Sequence, residues 1–426
     1  MNTLTDYANN SDMLPRFDDG MVNMQELLRG LLEALVNEVM SAQADELCDS
    51  SENTRNGYRE RKLTTSVGSI TMKIPKLRVG SYFPDELIER YSRTDRAVVA
   101  AVAEMYANGV STRKVERIAQ KLGIDKMSPS QVSRITKSLD DTVFDLQYKE
   151  FEDLDFPYLW VDATHIKCRM DGHIANPALV SAIGAGSDGY RYILGFDCVD
   201  TESYLSWLGF LRGLRERGIK GVVCITSDAH AGLRRAIEEV FSGAAWQRCI
   251  VHLERNACSC AKTRRHKNLI GRIVASIFRE EDPYLVRELY SRAIDEVGAI
   301  CKSAGNLLEE AESDALAYLD FPKEHRRRLR TNNVQERMNR EIKRRSRVVQ
   351  VFPSTDSLIR LVGAVLSEQD EAWMEKRYFT QSSILKVYEP IKPDAQILTG
   401  EDLKTKALTI LEIAKDENIA IGKRAA

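Results

Sequence analysis

Between residues 157 and 256 three β-prone runs follow one another, and then helix and strand alternate; few folds accept that order. Tyr158 to Ile166, Ala178 to Gly184 and Tyr190 to Cys198 read as strands, with Gly186-Ser187-Asp188-Gly189 turning into the third. Ser203 to Arg217 reads as a helix closed by Gly218. Gly221 to Thr226 is nearly all apolar, as expected of a strand covered on both faces. A helix from Gly232 to Phe241 and a strand from Trp246 to Val251 complete the series.

This is the order of a ribonuclease H-like α/β core, in which the first and fourth strands are neighbours. Asp162 lies inside the first strand, in Leu159-Trp160-Val161-Asp162-Ala163-Thr164-His165, where a charge is costly unless it is paired or binds metal. Asp228 lies just past the carboxyl end of the fourth strand, the end at which open α/β sheets bind ligands. An Asp there often begins a turn, but the two carboxylates in this strand order can share one site.

A third carboxylate stands in the run Thr331 to Arg345. At 100° per residue Val334, Met338 and Ile342 fall on one face, and Glu336 falls opposite with Asn332, Asn333, Asn339, Arg340 and Lys343 near it. Asn333 with Glu336 would also make an ordinary capping box. A solvated face, however, more often mixes Glu with Lys than frames one Glu with three Asn and several bases. Three carboxylates suffice for two hard divalent cations, which prefer oxygen ligands and assist phosphodiester displacement. Arg340, Lys343, Arg344, Arg345 and Arg347 would then meet DNA phosphates.

The net charge of −2 conceals blocks. Residues 1–53 carry eleven acids against two bases, 54–79 seven bases against one acid, 111–137 seven against two, and 325–347 ten against two. One charge run is ordinarily a solvated helix face; three basic blocks weigh toward a polyanion partner. In 21–47, Leu27, Leu28, Leu31, Leu32, Leu35, Val36, Val39 and Met40 make the apolar stripe of a helix that packs on the body or on a second copy, with dimerisation favoured. Lys62 to Ser66 and Ile70 to Ile74 flank Val67-Gly68-Ser69 as a hairpin crowded by Arg55, Arg59, Arg61, Lys62, Lys73 and Lys76.

Residues 95–140 read as three helices: Asp95 to Ala107, a second capped by Ser111 with Val115, Ile118, Ala119 and Leu122 on one face and Gly123 at its end, and a third. The third has Ser128 as N-cap, Pro129 at its first position and Gln131 closing a capping box. Val132, Ile135 and Leu139 would face inward, leaving Ser130, Gln131, Ser133, Arg134 and Lys137 outward, the layout of a helix-turn-helix that enters the major groove. A plain three-helix packing unit has the same skeleton; the basic hairpin beside it favours DNA.

Hydrophobic residues at 43% and charged residues at 29% fit globular protein, and no apolar run is long enough to cross a bilayer. Met1 to Asn10 has neither the basic nor the apolar segment of a secretory signal. Eight irregularly placed cysteines suggest no disulfide framework, so the expected location is the reducing cytoplasm. Cys249-x-x-His252, with Cys258, Cys260 and His266 downstream, lacks the second ligand pair of a zinc site, and buried core cysteine is the ordinary reading.

Taken together, Val161-Asp162-Ala163-Thr164-His165, Ser227-Asp228-Ala229-His230-Ala231-Gly232, Cys249-Ile250-Val251-His252 and Arg330-Thr331-Asn332-Asn333 running into Glu336-Arg337-Met338-Asn339-Arg340-Glu341-Ile342-Lys343-Arg344-Arg345 closely resemble the mutator-type transposases of prokaryotic insertion sequences. The resemblance spans Arg55-Asn56-Gly57-Tyr58-Arg59 to about Trp373. Two departures are Ser227-Asp228-Ala229 in place of an Asp-Gly pairing, and Gln335 where a small or apolar residue is common.

The resemblance implies a DDE triad of Asp162, Asp228 and Glu336 on a ribonuclease H-like fold, holding two Mg²⁺ ions for which Mn²⁺ can substitute. It implies a helical insertion among the 107 residues between Asp228 and Glu336, and makes Cys249 and His252 a signature associated with the site, alongside Asn333 and Asn339. The expected organisation is an acidic region with the amphipathic helix (1–53), a basic hairpin and connector (54–94), a helix-turn-helix domain (95–150), the first part of the core (151–256), an all-α insertion (257–330), the Glu-bearing helix and end of the core (331–375), and a C-terminal tail (376–426). The expected partners are double-stranded DNA, as terminal inverted repeats and as target, and a second copy in a homodimer, with no membrane. A DNA-binding regulator without chemistry is the alternative, which the intact carboxylate trio disfavours; a structure-selective nuclease of the same core would need no end-binding domain.

Overall fold

A computed structural model describes residues 14–50, 53–85, 87, 94–121, 124, 127–389 and 398–416, so the segment Met1 to Asn10 lies outside the described residues. The chain divides into two units, Met1–Asp141 with Arg344–Val349, and Thr142–Lys343 with Gln350–Ala426.

In the first unit helix α1 (Met24–Ser50) packs on a hairpin of β1 (Arg55–Thr65) and β2 (Gly68–Leu77). Met40 of the helix joins Leu63, Ile70, Met72 and Ile74 in one cluster, with Leu32 and Val36 against it. Buried Asn37 holds the strand edge through its amide: Nδ2 donates to Thr71 O (3.0 Å), and Oδ1 accepts from Lys73 N (2.6 Å). The hairpin expected from the Val67-Gly68-Ser69 turn is present with longer strands. Only part of the α1 stripe is covered, since Leu28 and Leu35 are 47% and 61% exposed.

Three helices follow, α2 (Arg96–Ala107), α3 (Thr112–Lys121) and α4 (Pro129–Ile135), around Val98, Val102, Val115, Ala119 and Val132. The capping box at α4 forms as the sequence suggests: Gln131 N donates to Ser128 Oγ (3.3 Å), and Ser128 N donates to Gln131 Oε1 (2.8 Å). Leu122 and Gly123 lie outside the described residues. The third helix is shorter than expected: after Ile135 the chain tightens into a 3-10 turn (Thr136–Leu139) and continues as α5 (Asp140–Gln147). The change of pitch buries Thr136 and leaves Leu139 half-buried.

The second unit is built on a five-stranded sheet of β3 (Tyr158–His165), β6 (Ala178–Ala185), β7 (Arg191–Val199), β8 (Cys224–Ser227) and β9 (Ala245–Arg248). Its order is β7-β6-β3-β8-β9, parallel across β3, β8 and β9 and antiparallel across β3, β6 and β7. A small hairpin, β4 (Cys168–Met170) with β5 (His173–Ala175), turns at Asp171-Gly172, both at positive φ, between the first two long strands. Helices α6 (Tyr204–Glu216) and α7 (Ala231–Val240) cover one face, where Leu159, Val161, Leu211, Leu214, Leu233 and Ile237 share a core. The fourth strand begins only at Cys224.

The strand expected over Trp246 to Val251 is a correction. β9 ends at Arg248, and Cys249 is the N-cap of helix α8 (Ile250–Cys260). The β-branched pair Ile250-Val251 imitates a strand, but Ile250, Leu253 and Ala257 are buried at helical spacing. Residues 257–330 contain only helices and turns: α9 (Arg264–Ile277), α10 (Pro283–Ile300), α11 (Lys302–Leu316) and α12 (Lys323–Leu329), with a 3-10 turn at Ala317–Asp320. The chain goes on through α13 (Asn333–Ser346) and α14 (Thr355–Met374). A short turn of helix, α15 (Gln381–Ile384), comes next, and the region expected as a tail then holds α16 (Gly400–Lys415). Leu403, Ala407 and Leu411 of α16 are buried, and Arg272 caps its last turn by donating to Ala414 O (2.9 Å) and Lys415 O (3.1 Å). Among the described residues no helix is long and apolar enough to cross a membrane.

Gly189 closes the β6–β7 turn with φ +85°, and its carbonyl accepts from both Tyr378 N (2.8 Å) and Phe379 N (3.0 Å). A Cβ on Gly189 would stand 2.2 Å from Phe379 O, so only glycine admits that approach.

Candidate active site

Alternation along β3 decides which side chains meet. Leu159 and Val161 enter the apolar core, so Tyr158, Trp160, Asp162 and Thr164 share the opposite face. That face is covered by α12 and α13. Tyr158 Oη contacts His325 Nδ1 (2.7 Å), Trp160 Nε1 donates to Arg328 O (3.2 Å), and Asp162 Oδ2 accepts from Asn339 Nδ2 (2.8 Å).

The parallel register pairs Trp160 with Thr226, so Asp162 and Asp228 each stand two residues beyond a matched pair on neighbouring strands. Glu336 reaches the same region from α13. Burial first, then the nearby negative charges of Asp228, Glu202 and Glu336, push the Asp162 carboxyl up to about 7 against a bond from the Ala163 backbone. Glu202 has no signal in the sequence: it follows β7, accepts from Trp207 Nε1 (3.3 Å) and lies 3.8 Å from His230 Nδ1.

Cys249 and His252 have separate tasks. Cys249 is buried, its thiol pushed up by that burial; its amide donates to Ser227 O (2.8 Å), and its Sγ accepts from Asn332 N (3.3 Å). It thus ties the end of β8 to the entry of α13. His252 Nε2 stands 3.9 Å from Glu336 Oε1, and Arg255, one helical turn on, stands 3.5 Å from the same oxygen. The i, i+3 spacing from His252 to Arg255 is the signal that would reveal Arg255 once the segment is read as a helix.

Amides hold α13 to the sheet. Asn332 Nδ2 donates to Val161 O (3.2 Å); Gln335, fully buried, donates to Trp160 O (2.7 Å) and Ser181 O (3.2 Å) and accepts from Ser181 Oγ (3.1 Å). Gln335 therefore fixes the rotation that turns Glu336 toward the carboxylates. Among the described residues, buried Asn332 Oδ1, Asn339 Oδ1 and His252 Nδ1 find no hydrogen-bond partner.

The carboxylate oxygens of Asp162, Asp228 and Glu336 are hard donors of the kind a divalent cation prefers. Among the described residues, however, no three His, Cys, Asp or Glu side chains stand close enough to hold an ion as they are. Asp162, Asp228 and Glu336 are brought to one region without converging on a point. Asn339 joins them through Asp162, and Asn333 is exposed at the start of α13.

The basic candidates separate by exposure. Arg59, Lys62, Lys73, Ser130, Gln131, Arg134, Lys137, Arg340, Lys343, Arg344 and Arg347 are exposed. Arg55 is engaged with Asp45 (2.5 Å) and Ser41, and Arg61 lies over the Phe83 ring (5.6 Å). Arg345 is buried and donates to Ala107 O (2.9 Å), so its guanidinium serves packing in the first unit.

Comparison with known proteins agrees with these motifs. A family model described as "Transposase, Mutator family" matches residues 5–376. The transposase for insertion sequence element IS1081 of Mycobacterium tuberculosis is 40% identical over 84% of this chain and 88% of its own length. The transposase for insertion sequence element IS256 in transposon Tn4001 of Staphylococcus aureus is 35% identical over 81% and 88%. A solved structure, the Drosophila P element transposase strand transfer complex, aligns at a TM-score of 0.29 and 13% identity over 78% of this chain and 94% of that one, too slight a likeness to carry an argument. On the family match and these identities, the chain belongs to the Mutator family of transposases.

Proposed function

We propose that this chain is an insertion-sequence transposase that acts on double-stranded DNA by DDE chemistry on a ribonuclease H-like core. The observation that carries the reading is the matched position of Asp162 on β3 and of Asp228 just past the end of the adjacent parallel β8, with Glu336 near enough to raise the Asp162 carboxyl. Asp162, Asp228 and Glu336 would hold divalent cations, Mg²⁺ or Mn²⁺, which supply activation of an attacking oxygen and stabilisation of the leaving one. Asn339 orients Asp162, while His252 and Arg255 steady Glu336. Hydrolysis of a phosphodiester at the element end leaves a 3′-hydroxyl. That oxygen then attacks a target phosphorus, joining element to target and releasing a target 3′-hydroxyl.

Arg59, Lys62 and Lys73 of the hairpin, with Ser130, Gln131, Arg134 and Lys137 of α4 and the turn after it, bind the terminal inverted repeats in this reading, and Arg340, Lys343, Arg344 and Arg347 contact phosphates. The helices of 257–330 are the insertion that separates the second Asp from the Glu. The uncovered leucines of α1 support a homodimer, one protomer for each end, working in the cytoplasm.

The test is end cleavage on a plasmid carrying the gene with its flanking DNA, comparing wild type and Asp162→Ala with Mg²⁺ and with chelator. Metal-dependent 3′-hydroxyl ends at the boundary, absent in the variant, are expected. Specific end binding with no cleavage by either protein would favour the regulator instead.

A further inference from the structure

A second basic cluster in the second unit lies outside the carboxylate centre. Arg191 opens β7, Arg328 stands in the last turn of α12, and Arg337 follows Glu336 on α13; all three charges act on Tyr378. The Arg191 guanidinium lies between the rings of Trp373 and Tyr378, 4.4 Å from each. Arg328 lies 4.9 Å from both Tyr378 and Phe379, and Arg377 lies over Tyr190 (5.1 Å). Among the described residues no carboxylate comes within ion-pair distance of these four, although surface arginines elsewhere in the unit find one, as Arg212 does with Glu239 (2.7 Å).

Holding like charges together without counter-ions is unfavourable, and burial with the charges of Arg337 and Arg328 lowers the Arg191 pKa. Ring stacking offsets part of that cost and fixes the guanidinium planes, which leaves N–H edges available for bidentate contact with anionic oxygens. Single-stranded nucleic acid is held by stacking bases on open aromatic faces, whereas arginines already lie against Tyr378. Backbone phosphate is the chemistry left.

The geometry points to Arg328, Arg337 and Arg377, braced by Arg191 on Tyr378, as a sequence-independent binding patch for the phosphodiester backbone of duplex DNA. The inference rests on the transposase reading and adds a binding surface to it. Arg337 follows Glu336 by one position, about 100° further round α13, so one helix carries both the patch and a member of the carboxylate centre.

The experiment measures duplex affinity of the full chain against KCl concentration, with an element-end duplex and a scrambled one. The Arg328→Gln/Arg337→Gln/Arg377→Gln variant should lower the slope of log affinity against log salt by about 0.9 for each phosphate it no longer neutralises, equally for both duplexes. The matching Lys variant should keep most of the slope. Arg337→Gln alone, exposed and without a ring partner, guards against a folding defect and should lower the slope by about 0.9, the share of a single phosphate. An unchanged slope in a folded triple variant overturns the patch. So does an equal decrease in the Gln and Lys variants with a lowered melting temperature, which would make the arginines structural. Absence of any DNA binding by wild type would instead remove the transposase reading itself.

Discussion

The two faces of the five-stranded sheet are held by different physics. On one, Leu159, Val161, Leu211, Leu214 and Ile237 fill a dry core in which any apolar residue of the right size serves. On the other, Tyr158, Trp160 and Asp162 meet His325, Gln335 and Asn339 through individual hydrogen bonds. The dry face supplies cohesion. The polar face supplies position, because an amide bond fixes an angle that apolar packing leaves loose.

Substitutions can sharpen or break this contrast. Asp162→Ala should abolish end cleavage, by about a thousandfold or more, while the melting temperature holds; retained cleavage would remove the polar face from the chemistry. Leu211→Ala on the dry face should cost about 3 kcal/mol in urea unfolding. Cleavage per folded molecule should be unchanged, and a specific activity defect would blur the division of labour.

His325 gives the polar face a pH dependence that the dry face lacks. It is fully buried between Tyr158 and Ser383, and desolvation lowers its pKa from 6.5 to about 4. The folded value lies below the unfolded one, so the contribution of neutral His325 is whole above about pH 6.5. It declines as pH falls toward 4, by up to about 3 kcal/mol. The stability difference between wild type and His325→Gln, followed by urea midpoint, should therefore change across pH 6.5 to 4; a difference constant across that range would contradict it. The smallest effect expected is from Gln335→Leu, which removes the side-chain donor to Trp160 O and Ser181 O and the acceptor of Ser181 Oγ, and should cost about 2 kcal/mol. Cleavage should fall further than stability, because Glu336 is no longer held in rotation.

The dry face is legible in the sequence because it follows a period: the strands β3, β6 and β7 and the helix after Ser203 all announce themselves within a few residues. Asp162 is legible as a charge inside an apolar strand, Asp228 by its place past the carboxyl end of the fourth strand, and Glu336 by the Asn and basic residues that frame it. The roles of Glu202 and Gln335 are not, because their partners are distant in the chain and nothing local distinguishes them from solvated side chains. Cys249 and His252 stand out but read as part of a strand, since Ile250 and Val251 carry β-branched side chains into the first turn of a helix.

The joint between Gly189 and residues Tyr378 and Phe379 has a consequence for synthesis. A ribosome adds roughly 5–20 residues per second, so the turn at Gly189 leaves the exit tunnel many seconds before its partners exist. Until they arrive Tyr158 lacks its Phe379 neighbour, and His325 lacks Ser383. A nascent chain that has not reached residue 383 can therefore assemble its apolar face but not the full surroundings of Tyr158 and His325. The sheet and the helix that carries Glu336 are thus both made before the segment that joins them at the Gly189 turn.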